Sequence, residues 1–305
     1  MLFRSFQVAV GSRLVGETEW RRRKIKSLIK LLALEPGHAL HREQALDLLW
    51  PDLEPEAAAN NLHQTVHLAR RVLDPTGVSA TRFLRLKTET IALCPEGEVW
   101  TDVAAFEQAA AEARRGEDPA AYHAAVERYT GDLLPEDRYE EWVIGRREAL
   151  RQEYLDLLLG LARLYEDRGA YAAAVDPLRR LLAVDGSHEE AHARLMRLYA
   201  LSGRRQQALR QYQRLQAALR SELGVEPDPS SQRLYQAIRE GRFPEPTRPT
   251  EAGAAPLATA HPLRTTPVPA SRSPAPRADA PHNLPVQLTS FVGRQREKAE
   301  VRRLL

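Results

Sequence analysis

Asn60, Gln64, His67 and Arg71 recur at the spacing of one helical face within the stretch "NNLHQTVHLARRVLD". Two carboxamides, an imidazole and a guanidinium form a row of hydrogen-bond donors and acceptors of intermediate reach. Asn or Gln can pair twice with adenine, and Arg can pair with guanine O6 and N7, when a helix lies in a major groove. Flanking them, His63 and Arg70, with Arg82, Arg85 and Lys87 further on, are candidates for phosphate contact, which supplies affinity rather than base preference. The competing reading is a solvated helix face, which would more typically carry Glu and Lys pairs; none occurs from 60 to 73. His63 and His67 also have the i, i+4 spacing of a metal pair. Gln64 stands where a zincin motif has Glu and no third ligand is near in sequence, so no metal is expected.

Such a row needs a buried opposite face, and Leu62, Val66, Ala69 and Leu73 supply it. Three helical patterns are expected: Arg22 to Leu34, ended by Pro36-Gly37; Arg42 to Trp50, ended by Pro51; and Pro55 to Leu73, ended by Asp74-Pro75. Before them "FRSFQVAV" alternates as a strand would, and after them "FLRLKTETIALC" reads as a hairpin in which Leu84, Leu86, Ile91 and Leu93 alternate with polar neighbours. Short strands, three helices and a hairpin are the order of a winged helix-turn-helix, expected over residues 1 to 101. Trp50 reads as a core anchor. The run "RRRKIK" at 21 to 26 reads equally as a phosphate-contacting helix start or a solvated face.

The net charge of +3 conceals a pattern. Residues 1 to 30 sum to +6, residues 31 to 59 to −5 and residues 60 to 87 to +4, whereas residues 102 to 242 hold 21 basic against 24 acidic side chains. Basic charge thus brackets the candidate reading helix, and the middle of the chain is no polyanion binder by charge.

Residues 102 to 242 are almost wholly helical in pattern. Leu164, Tyr165, Gly169 and Ala174 recur 34 positions later as Leu198, Tyr199, Gly203 and Ala208, which is the tetratricopeptide period. A less regular copy, "AYHAAVERY", precedes them with an inserted "GDLLPEDRYEEWV". Residues 243 to 290 hold 11 of the 21 prolines and no apolar period, so a disordered linker is expected there. Residues 291 to 305 turn amphipathic again. The expected fold class is therefore mainly α: three helices and a short hairpin, then an α-helical tetratricopeptide-like repeat domain, then the linker.

No stretch approaches the ~20 apolar residues of a membrane span and no signal-peptide pattern opens the chain, so a cytoplasmic location is expected. Cys94 is the only cysteine, which rules out an intrachain disulfide and a Cys-rich zinc site, and it reads as an ordinary strand residue. The motifs GxSxG, HExxH, GxGxxG and GxxxxGKS/T are all absent. Neither an enzyme nor a cofactor is expected.

Several segments carry a family likeness. "LLALEPGHALHREQALDLLWPDLEPEAAANNLHQTVHLARRVLD" resembles the OmpR-type winged helix at the front of SARP/AfsR-like transcriptional regulators. "TDVAAFEQA", "YTGDLLPEDRYEEWVIGRREALRQEYLDLL", "HEEAHARLMRLYALSGRRQQALRQYQRL" and "LRSELGVEPDPSSQRLY" resemble the bacterial transcriptional activator domain that follows it in that family. The likeness covers about two thirds of the chain. It implies binding to repeated promoter elements in double-stranded DNA, as dimers or arrays, with recruitment of RNA polymerase, and it assigns the recognition helix to Asn60, Gln64, His67 and Arg71. Two positions depart from it: Ala69 stands where many relatives have a larger apolar residue, with Leu68 expected to turn outward, and Gly186 stands where relatives often have Pro. "LPVQLTSFVGRQREKAEVRRLL" resembles the lead-in to a STAND-class NTPase domain, whose phosphate loop does not follow, so a truncated member of the larger regulators is expected. The competing reading is a tetratricopeptide-type protein-interaction adaptor without specific DNA binding, which would bind DNA weakly and without salt dependence.

Overall fold

The computed structural model describes residues 1–77 and 80–242, all of which fall in one compact unit, Met1–Thr250. The linker and tail expected from 243 onward lie outside the described residues. A short hairpin, β1 (Ala9–Val10) and β2 (Arg13–Leu14), precedes α1 (Arg23–Leu34). Then follow β3 (Ala39–His41), α2 (Arg42–Leu49), α3 (Pro55–Leu73), a single turn α4 (Ala80–Phe83), and the hairpin β4 (Leu84–Leu86) and β5 (Thr90–Leu93). The three-stranded sheet has the order β3-β5-β4 with both pairs antiparallel. This is a winged helix-turn-helix. Its core joins Trp20, Ile25, Leu28, Leu32, Leu49, Leu62, Val66, Leu84 and Ile91.

The helical repeat begins at α5 (Asp102–Arg115) and continues through α6 (Pro119–Arg128), α7 (Glu141–Asp167), α8 (Tyr171–Val184), α9 (Glu189–Leu201), α10 (Arg205–Glu222) and α11 (Pro229–Arg239). Successive helices pack as antiparallel hairpins, with α7 against α8 and α9 against α10. The 34-residue period sets their geometry. Gly169 and Gly203 turn the chain at φ 68° and 72°, in the left-handed region that only glycine enters freely, and Ala174 and Ala208 are fully buried where the paired helices meet. Among the described residues no helix is long and apolar enough to cross a membrane.

The strand expected in "FRSFQVAV" is only partly present. Ala9 and Val10 pair with β2, whereas Leu2 and Phe3 leave the winged helix and enter the core of the repeat. Phe3 bridges to Leu133 and packs edge-on against Phe106 at 5.8 Å between ring centroids. The Asp102 carboxylate accepts from the backbone N–H of Leu2, at 2.8 and 2.9 Å, and from that of Phe3, at 3.0 Å. Charge-assisted bonds of this kind hold Leu2 and Phe3 on the repeat. Cys94 lies just past β5, at φ 45°, and is not a strand residue.

Candidate nucleic-acid interface

α3 spans the expected Pro55–Leu73, beginning at Pro55, whose missing N–H is one of the unsatisfied donors of a first turn in any case. Its inner face buries Ala58, Leu62, Val66, Ala69 and Leu73. Leu68 is half-buried against the same core rather than turned outward: the apolar face is wide enough to take in Leu68 and Val72 on its margin. Ala69 sits fully buried where a larger residue would crowd the neighbouring elements.

The outer face is where Asn60, Gln64, His67 and Arg71 lie, all four exposed, together with exposed His63. None of these five side chains has a hydrogen-bond partner or ion pair among the described residues. They form a continuous polar row along about three turns, with Arg70 and Arg71 in the last turn, where a positive charge interacts favourably with the helix dipole.

The other basic candidates stand on or beside the hairpin. Arg70 is half-buried, and its Nε donates to the Leu84 carbonyl at 2.9 Å, fastening α3 to β4. Arg82 and Lys87 are exposed, Lys87 at the turn where its backbone N–H donates to Thr90 at 2.8 Å. Arg85 is half-buried and pairs with Glu96. The Arg85 hydrogen bond and charge hold the Glu96 carboxyl below its usual range, with further pull from Arg82 and Lys87. Glu96 is thus the counter-ion of Arg85 and lies within the field of Arg82 and Lys87, a role the sequence reading missed. The acidic "PEGE" directly after the strand is the signal that could have found it.

Arg42 was missed as well. Its backbone N–H donates to Glu89 in the β4–β5 turn at 2.7 Å, which sets the start of α2 beside the hairpin, and its Nε is buried without a partner among the described residues. In the basic run near the start of the chain, Arg23 pairs with Glu140 at 2.6 Å and Lys26 pairs with Glu17, while Arg21 and Arg22 are exposed. Trp50 caps the end of α2 and is half-buried against the core. Among the described residues no cluster of three metal-ligating side chains occurs.

A helix with free amide, imidazole and guanidinium groups on one face, beside Arg82 on α4 and a hairpin carrying Arg85 and Lys87, can hydrogen-bond base edges while basic groups meet the backbone phosphates. Comparison with solved structures finds Mycobacterium tuberculosis EmbR in complex with a low affinity phosphopeptide, at a TM-score of 0.61 and 21% identity. That likeness is one of fold. It covers 81% of this chain and 65% of that one, so this chain spans less than two thirds of the EmbR chain. No curated protein matches the sequence at a significant level. Residues 101–239, the helical repeat from the cap of α5 to the end of α11, match the family model of the bacterial transcriptional activator domain.

Proposed function

We propose that this chain is a transcription regulator of the SARP type, and that it reads promoter DNA with the outer face of α3. The observation that carries the reading is the row Asn60, Gln64, His67 and Arg71: exposed, unpaired among the described residues, and presented by a winged helix-turn-helix joined to a segment that matches the bacterial transcriptional activator domain. In this reading those four side chains contact base edges, and His63, Arg70, Arg82, Arg85 and Lys87 contact phosphates. The two domains are taken as residues 1–101 and 102–242. The repeat domain serves pairing of two copies on DNA or contact with RNA polymerase, and the output is activation. A larger regulator with an NTPase switch beyond residue 290 is part of the same reading.

The test is binding of the purified chain to DNA from its own promoter and to unrelated DNA across a salt series, beside an Asn60→Ala, Gln64→Ala, Arg71→Ala variant. Wild-type preference for one sequence, with only salt-sensitive nonspecific binding left in the variant, is the expected result. Weak, salt-insensitive binding by both proteins would instead favour a protein-interaction adaptor.

A further inference from the structure

We propose that the cleft between the N-terminal hairpin, α1 and the connector leading to α5 binds a compact, largely apolar organic small molecule that carries one or two hydrogen-bonding groups. The cleft holds about 490 Å³ and is lined by residues from five separate stretches of chain, among them Phe6, Val10, Ala33, Cys94, Val99 and Trp100. That volume lies within the range of small-molecule sites, and such sites favour the junction of two packed bodies.

The location is such a junction. Phe6 and Ala33 pack against the core of the winged helix and also against the core of the repeat, so an occupant of the cleft touches the residues common to both. The space persists because several of its walls are small: Ala9 on the hairpin, Ala33 on α1 and Val99 on the connector leave a gap that larger side chains would close. Apolar walls give water few partners, which favours an organic occupant over solvent.

Three large apolar side chains at this cleft face solvent, Met1 among them at 51% exposed. Leu14 is 65% exposed and the Trp100 indole 67% exposed, although both line it. An exposed indole beside a concave apolar wall has area to gain from an occupant. The size argues against a docked protein, which would need about 800 Å² of contact on each partner. Directional contacts are present but few. Thr101 accepts from the Ala104 backbone N–H at 3.0 Å and keeps a hydroxyl proton to donate, and Gln7 and Glu98 add an amide and a carboxylate. Cys94 adds no charge, because burial pushes its thiol above the usual range. Binding here is independent of what α3 reads.

The probe is N-phenyl-1-naphthylamine, a neutral apolar fluorophore, titrated into the full chain. Saturable one-site binding is expected. Cys94, the only thiol, reports its place without any substitution: labelling by N-ethylmaleimide should slow by about tenfold at a probe concentration about ten times its Kd. Two filling variants, Ala33→Leu and Val99→Phe, should each weaken probe binding by at least about tenfold if their thermal transitions match the wild type. Binding that does not saturate, unchanged Cys94 labelling at saturation, or unchanged affinity in a folded filling variant overturns the assignment.

Discussion

The ammonium of Lys30 on α1 is buried against the carboxylate of Asp137 in the loop before α7, with side-chain exposures of 3% and 6%. Glu136 takes a second bond from the same ammonium at 3.0 Å, and the Phe6 ring lies 4.9 Å from it. Arg147 on α7 holds the loop in place by donating to the carbonyls of Leu133 and Leu134, at 2.7 and 2.8 Å. This joint, with Trp142 packed on both cores, fastens the winged helix to the repeat.

Removing Lys30 leaves the Asp137 carboxylate buried and uncompensated. Lys30→Ala should cost roughly 3–5 kcal/mol of stability, read as a lower urea midpoint. The double replacement Lys30→Met, Asp137→Leu removes both charges and should recover most of that loss. A double variant as unstable as the single one would show that the pair does not hold the joint.

Glu96 draws on the charge of Arg85, Arg82 and Lys87. If these side chains meet phosphates, Glu96→Gln frees Arg85 and removes a negative charge from the same surface. Affinity for DNA should then rise for every sequence, and the slope of log K against log salt should steepen by about one. Base preference should not change, since the α3 row is untouched. An unchanged slope in a salt-titrated binding assay would place these basic residues away from the DNA.

The sequence made some of this legible and not the rest, for identifiable reasons. α3 could be read because its proline start, its apolar face and its polar row agree over 19 residues. The repeat could be read because Gly169 and Gly203 must sit where φ is positive. β3 could not, since Ala39–His41 become a strand only by pairing with Ala92, Ile91 and Thr90, about fifty residues on. Phe3 falls in the alternating stretch "FRSFQVAV", but Asp102 and Phe106 decide where it goes. The inserted stretch "GDLLPEDRYEEWV", residues 131–143, gives no local sign that its Glu136 and Asp137 hold Lys30. In the candidate interface the exposure of the α3 row was legible from its helical spacing alone. The partners of Arg70 and Arg85 depend on the placing of Leu84 and Glu96, which no local pattern fixes.

His192 on α9 is buried between Gly186 and Gln211. Its Nε2 lies 3.0 Å from the Gly186 carbonyl, and its Nδ1 faces both the Gln211 side-chain amide nitrogen, at 2.8 Å, and the Gln211 backbone carbonyl, at 3.3 Å. Burial lowers its pKa from the ordinary 6.5. The unfolded chain therefore binds the proton more readily, and stability present above about pH 6.5 is lost as pH falls through the lowered folded value. Thermal melts from pH 7.5 down to about pH 5 should show that loss in the wild type. His192→Gln, which cannot charge, should melt lower at pH 7.5 yet vary less across the window; equal pH dependence in both would remove His192 as its source.

Gly160 lies within the 27-residue helix α7, where glycine costs about 1 kcal/mol relative to alanine. The cost has a visible reason: a Cβ there would stand 2.7 Å from Cε1 of Tyr122 on α6, with Cζ and the hydroxyl oxygen at 3.4 Å. Gly160→Ala gains helix propensity but forces the Tyr122 ring away from α7, and overpacking of this kind costs typically about 1–3 kcal/mol. The clash should win, lowering the urea midpoint. Adding Tyr122→Leu removes the obstructing ring atoms, so in that background Gly160→Ala should raise the midpoint instead. The sign of the Gly160→Ala effect, measured with and without Tyr122, thus tells whether the glycine is kept for the approach of α6 or for some property of α7 alone.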